Sequence, residues 1–152
     1  MTIYCIDTSS IIDAGERYYP IDIFPAFWDK LDGLIKVGRL KAPQTLIDEL
    51  EAKDEAWREW VFSRRDQMIW PIDDAIQAAM TQVMPIYVAN VSNVNSIKGD
   101  PFFIAAAIAK KATLITSEKL IKGNIKIPKI CDNLGVAWSP LLGLVRAEGW
   151  RF

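Results

Sequence analysis

GDPFFIAAAIAKKATLITSEK, residues 99–119, contains the transition that decides the fold. Asp100-Pro101 predicts a helix start, because Asp suits the N-cap and Pro the first helical position. FFIAAAIAKK continues it as an apolar helix. Residues 112–116 are then short, apolar and β-branched, which predicts a buried strand left by Ser117-Glu118. A helix running straight into a buried strand is the repeating unit of a parallel α/β sheet.

Working outward, the N-terminal residues give the complementary half of that unit. The apolar run 3–6 ends at Asp7-Thr8-Ser9-Ser10, all good helix starters, and predicts a strand running into a helix N-cap. Over 24–37, Phe24, Phe27, Trp28, Leu31, Leu34 and Ile35 recur at spacings of three and four, the period of an amphipathic helix. Residues 39–42 are a weak strand, Pro43 opens a helical stretch with Leu46, Ile47 and Leu50 on one face, and a further helix passes through Trp57, Trp60 and Val61. After Pro71 a helix is expected over 73–88, with Pro85 as a kink or an end. Residues 90–99 form an Asn- and Ser-rich loop. A short helix at 127–133, an apolar run at 136–138 and a last helix capped by Ser139-Pro140 complete the chain. Alternating strands and helices predict α/β architecture: three α/β/α layers around a mostly parallel central sheet. No internal repeat or Pro/Gly linker divides it, so one domain over 1–152 is expected.

Composition limits the chemistry. The chain has 152 residues, 51% hydrophobic and 24% charged, with 18 basic and 19 acidic residues and a net charge of −1. A core of this size is stable without disulfides or a structural metal, and six Trp, six Phe and four Tyr exclude a disordered tail. The absence of His removes Ser-His-Asp and Cys-His catalysis and His-containing zinc sites. Cys5 and Cys131 lack zinc spacing and are expected to be buried reduced thiols, consistent with a cytoplasmic protein. No apolar run approaches the roughly 18 residues of a membrane span, and the N-terminus lacks the pattern of a signal peptide. The acidic balance argues against coating DNA non-specifically.

Carboxylates are therefore the chemistry to follow. In a parallel α/β unit the C-terminal ends of strands and the N-terminal ends of helices share one edge of the sheet. Asp7, Asp100 and Glu118 should meet there, and Glu49, about 9 Å along its helix from Pro43, can reach the same pocket. Four converging carboxylates repel one another and hold protons tightly. A hard divalent cation, Mg²⁺ or Mn²⁺, relieves that conflict and suits attack of water on a phosphodiester. Each acid also has a plainer role: Asp7 and Asp100 as N-caps, Glu49 as a solvated helix residue, and Glu118 as a turn acid beside Lys119.

The segments IYCIDTSSIID, APQTLIDELEAK and GDPFFIAAAIAKKATLITSEK together resemble the PIN-domain ribonucleases, which include VapC-like toxins of toxin–antitoxin pairs. The resemblance runs most of the chain. The tail from Lys126 is similar to a less characterised branch of PIN-like proteins. The resemblance implies that Asp7, Glu49, Asp100 and Glu118 form the catalytic, metal-binding cluster, with Thr116 and Ser9 as supporting hydroxyls. Glu118 stands where that family usually has Asp. It further implies an RNA substrate, a homodimer and an antitoxin protein laid across the acidic groove.

Lys119 and Lys122 lie nearest the expected edge and are the candidate substrate contacts. Lys36, Arg39, Lys41, Arg64, Arg65, Lys126 and Lys129 are further basic candidates that would otherwise be solvated. The Trp57/Trp60 pair is expected to pack in the core; exposed, it would anchor a partner helix or stack a base. A haloacid-dehalogenase-type phosphatase would need a second acid where Ser9 stands. A catalytically inactive PIN-like module that binds RNA or protein is the alternative from another functional class.

Overall fold

A computed structural model describes residues 1–53, 55–90, 99–118 and 127–152. β1 (Tyr4–Ile6) passes through Asp7 into α1 (Thr8–Asp13) and a π-helical turn (Ala14–Tyr18). α2 (Pro25–Lys36) leads to β2 (Leu40–Pro43). α3 (Thr45–Lys53), α4 (Glu55–Phe62) and the single turn α5 (Arg65–Met68) lead to β3 (Ile69–Trp70). The helical pair α6 (Asp74–Asn90) and α7 (Asp100–Lys110) precedes β4 (Thr113–Ile115), and α8 (Ile127–Leu134), β5 (Trp138–Ser139) and α9 (Leu141–Ala147) follow.

Among the described residues five strands form one sheet, parallel throughout, in the order β3-β2-β1-β4-β5, with Tyr4 opposite both Leu40 and Thr113. From β1 the chain first builds outward to β2 and β3, then returns to the other side of β1 for β4 and β5. Right-handed crossovers therefore place the helices after β1 and β2 on one face and those after β3 and β4 on the other. Strand β1 is consequently buried on both faces, and Tyr4, Cys5 and Ile6 are all core residues. α7 lies against β1, β2 and β4, its run of Ala105, Ala106 and Ala107 buried at the sheet, and α6 packs along it. Cys5 and Cys131 are buried free thiols, as expected. Among the described residues no helix is long and apolar enough to cross a membrane.

Aromatic packing fixes the opposite layer. Trp28 stacks on Trp57 at 4.6 Å and meets Trp60 edge-on at 5.1 Å, so the tryptophan pair serves the core. Gly15 lies beneath the Trp57 indole, where an added Cβ would overlap the ring. Tyr19 stacks on Phe27 at 4.2 Å and its carbonyl accepts from the Trp28 indole at 2.7 Å.

Several local expectations are corrected. Pro43 ends β2, paired with Trp70, instead of opening the helix, which starts at Thr45. Pro85 is no terminus, since α6 continues to Asn90. β3 was not anticipated, because a two-residue edge strand carries no periodicity. Pro140 occupies the N-cap of α9 without a side-chain cap bond, and Ser139 belongs to β5. The loop assigned to 90–99 falls on 91–98, outside the described residues.

A polar clamp holds the C-terminal end of α9 to the sheet edge remote from Asp7. Glu148 accepts from both terminal Arg39 nitrogens, at 2.9 and 2.8 Å, and from the Tyr4 hydroxyl at 2.6 Å. The Arg39 guanidinium holds the Glu148 carboxyl below the usual range. Glu148→Ala is expected to lower unfolding stability by about 2 kcal/mol in urea titrations, because it strands a charged donor that is only 19% exposed.

Candidate active site

Ligands of open parallel sheets bind beyond the C-terminal strand ends where the strand order reverses. Here that point lies between β1 and β4. Asp7 ends β1 and is 3% exposed; its amide donates to the Ile115 carbonyl at 3.0 Å. Its Oδ1 accepts from the Ser10 amide at 2.9 Å, as an N-cap should, while Oδ2 accepts from Thr116 Oγ1 at 2.5 Å. The Ser9 hydroxyl lies 2.9 Å from both oxygens. Thr116 and Ser9 thus both hydrogen-bond the Asp7 carboxylate, and Asp7 serves the cap and the cleft together.

Asp100 corrects its N-cap reading. It is the first residue of α7, Gly99 is the cap residue, and no side chain makes the cap bond. The Asp100 carboxylate is therefore left to the cleft. Glu49 projects from α3 and accepts from Thr8 Oγ1 at 2.5 Å. Gly99 lets the backbone pass this carboxylate, since a Cβ there would sit 2.7 Å from Glu49 Oε2. Glu118 accepts from the Ile127 amide at the start of α8 at 2.9 Å, and its own amide donates to Thr116 Oγ1 at 3.1 Å.

Asp7, Glu49, Asp100 and Glu118 all line one cleft of about 250 Å³ with Thr8, Ser9 and Asp13. Asp13, at the end of α1, was not among the candidates; its signal was its place in DTSSIID, in the short helix that Asp7 caps. It also pairs with Arg17 at 3.8 Å. Thr8 was missed as well, although it adjoins the first acid. The cleft runs between two larger, mostly apolar hollows. One, about 570 Å³, shares Glu118 and is walled by Tyr18, Tyr19, Ser117, Trp138, Pro140, Leu141 and Leu142. The other, about 480 Å³, shares Glu49 and includes Ala52, Ile72 and Phe102.

Electrostatics match an uncompensated acidic pocket. Burial pushes the Asp7 carboxyl up to about 6, against the opposing pull of the Thr116, Ser9 and Ser10 donors. Asp100 is held well above the ordinary carboxylate range by burial, then by Glu118, Asp7 and Glu49. The donors are all oxygen, as a hard divalent cation requires. Among the described residues no three acidic or sulfur side chains stand close enough together to enclose an ion alone.

Among the described residues, the basic candidates Lys36, Arg39, Lys41, Arg64 and Arg65 are each held by another group. Lys119, Lys122 and Lys126 lie outside the described residues. Arg64 and Lys36 both pair with Asp32, Arg39 is held by Glu148, and Lys41 and Arg65 donate to the Gln67 and Phe62 carbonyls.

This arrangement defines the fold as PIN-like. It is similar to a chain in the crystal structure of VapBC2 from Rickettsia felis bound to a DNA fragment from their promoter, with a TM-score of 0.59 at 17% identity, covering 91% of this chain and 98% of that one. The chain belongs to the family described as a domain of unknown function, DUF4411, whose sequence pattern matches residues 4–152. No curated protein matches it.

A raised carboxyl pKa means that the folded state binds more protons than the unfolded chain between the two values, so these groups weaken folding as pH rises. From the ordinary value of 3.8 to about 6, the Asp7 shift alone corresponds to an order of 3 kcal/mol. In EDTA at pH 7.5, Asp100→Asn should unfold at higher urea than the parent chain. Near pH 4 that advantage should vanish.

Proposed function

We propose that this chain is a metal-dependent endoribonuclease, one PIN-like domain over 1–152, that hydrolyses phosphodiester bonds of unpaired RNA. The observation that carries the reading is the meeting of Asp7, Glu49, Asp100 and Glu118 in one cleft at the switch point of the sheet. The oxygen-only donor set and the proton-retaining Asp7 and Asp100 fit Mg²⁺ or Mn²⁺. Mg²⁺ usually binds through one or two carboxylates and keeps several waters, so a preformed cage of three acids is not needed.

Asp7 and Asp100 would hold the ion directly, with Glu49 and Glu118 meeting its waters. When bound, the ion polarises the phosphate and acidifies a water for attack. Thr116, Ser9 and the Ser10 amide keep the Asp7 carboxylate in one orientation. Thr8 does the same for Glu49. The apolar hollows on either side would receive bases flanking the scissile phosphate, which favours single strands over duplexes. Lys119 and Lys122 are retained as proposed backbone contacts.

The likeness of the fold to a chain of VapBC2 supports reading it as a toxin of a toxin–antitoxin pair with an antitoxin protein as partner; a cytoplasmic location and a homodimer belong to the same proposal. A second reading, an inactive PIN-like module binding RNA or protein, draws on the absence of a three-acid ion cage among the described residues. Cleavage of labelled single-stranded RNA separates the two. The nuclease should cut with Mg²⁺ or Mn²⁺ and not in EDTA, and Asp7→Asn and Asp100→Asn should each lose at least about 100-fold in rate while remaining folded. Folded parent protein that leaves every RNA intact with either metal would establish the inactive module.

A further inference from the structure

Tyr87 lies on α6, three residues before its end, and is 5% exposed. Its hydroxyl is buried and has no hydrogen-bond partner among the described residues. A buried phenol normally finds one, so an orphan calls for a cause such as an absent ion, a water or a functional role. The fold indicates where that partner is. α6 and α7 pack along each other as a hairpin, so the last turn of α6 is level with the first turn of α7, where Asp100 stands. The charges that act on the phenol, after burial, are Asp100, then Glu118 and Cys131, and all of them help to keep it protonated. It is therefore a retained donor beside groups that, once ionised, only accept.

We propose that Tyr87 is a positioning residue for the Asp100 and Glu118 side of the cleft, its hydroxyl donating to one of these carboxylates when a divalent cation occupies the site. This rests on the metal-dependent reading above. The cation takes one oxygen of a carboxylate and leaves the other to be oriented. A donor held by the packing of α6 against α7 orients it without adding charge. Partners of this kind behind a metal ligand typically change affinity by 10- to 100-fold when removed.

Tyr87→Phe deletes only the hydroxyl and should fold, because no hydrogen bond is lost in the metal-free protein. Calorimetric titration of the full chain with Mn²⁺ is expected to show affinity reduced about tenfold or more, with the metal-free urea midpoint unchanged or higher. In an Asp100→Asn, Glu118→Gln background, adding Tyr87→Phe should change Mn²⁺ affinity no further. Equal Mn²⁺ affinity of parent and Tyr87→Phe would overturn this role alone. A lowered metal-free midpoint with unchanged affinity would assign the hydroxyl to stability and overturn it too. Absence of Mn²⁺ binding by the parent chain would instead overturn the metal-dependent reading, and this inference with it.

Discussion

The hydrogen bond from Thr116 to Asp7 joins the ends of two neighbouring strands whose residues are 109 positions apart. It exists because the chain reverses its direction of sheet building at β1, so that β4 returns to the side that β2 did not take. That reversal leaves a crevice at the C-terminal strand ends, and Asp7 forms its floor. Buried with donors on both oxygens, its carboxylate is held in one orientation before any ligand arrives. Such preorganisation removes an ordering cost that a flexible acid would meet on binding a ligand.

The rim is built differently. Glu49 and Glu118 are anchored at one oxygen each, by Thr8 and by the Ile127 amide, whereas Asp100 is left to the cleft by a helix that starts one residue early. Assembling these acids works against folding, as the raised Asp7 and Asp100 carboxyls show. The opposing stability is placed elsewhere. A stacked aromatic layer lies around Trp28 and Phe27, and the Glu148 clamp closes the far sheet edge, so the acids gather without the fold depending on them.

Much of this was legible in residue order. Strong periodicity located α2, and the Asp-Pro start located α7 to within one residue. Chain direction placed four acids at one edge, because parallel strands put all their C-terminal ends there. What escaped was short or depended on distant contacts. β3 is two residues long, and Asp13 and Thr8 matter only because α1 turns them toward Glu49 and Glu118. The basic residues illustrate the same limit: sequence marks Arg39 and Arg64 as free cations, while folding gives each an acidic partner from a remote segment.

By itself the sequence determined the α/β class, the parallel order of helix and strand, the absence of His and which four acids gather at one edge. These follow from local patterns and side-chain types, which need no partner to be read. Only the tertiary structure decided that Asp100 is spared from capping, that Trp57 and Trp60 pack inward, and that a Tyr87 hydroxyl with no partner among the described residues lies level with the start of α7. Those outcomes depend on which surfaces meet when helices cross a twisted sheet, and such contacts between remote segments carry no local signature.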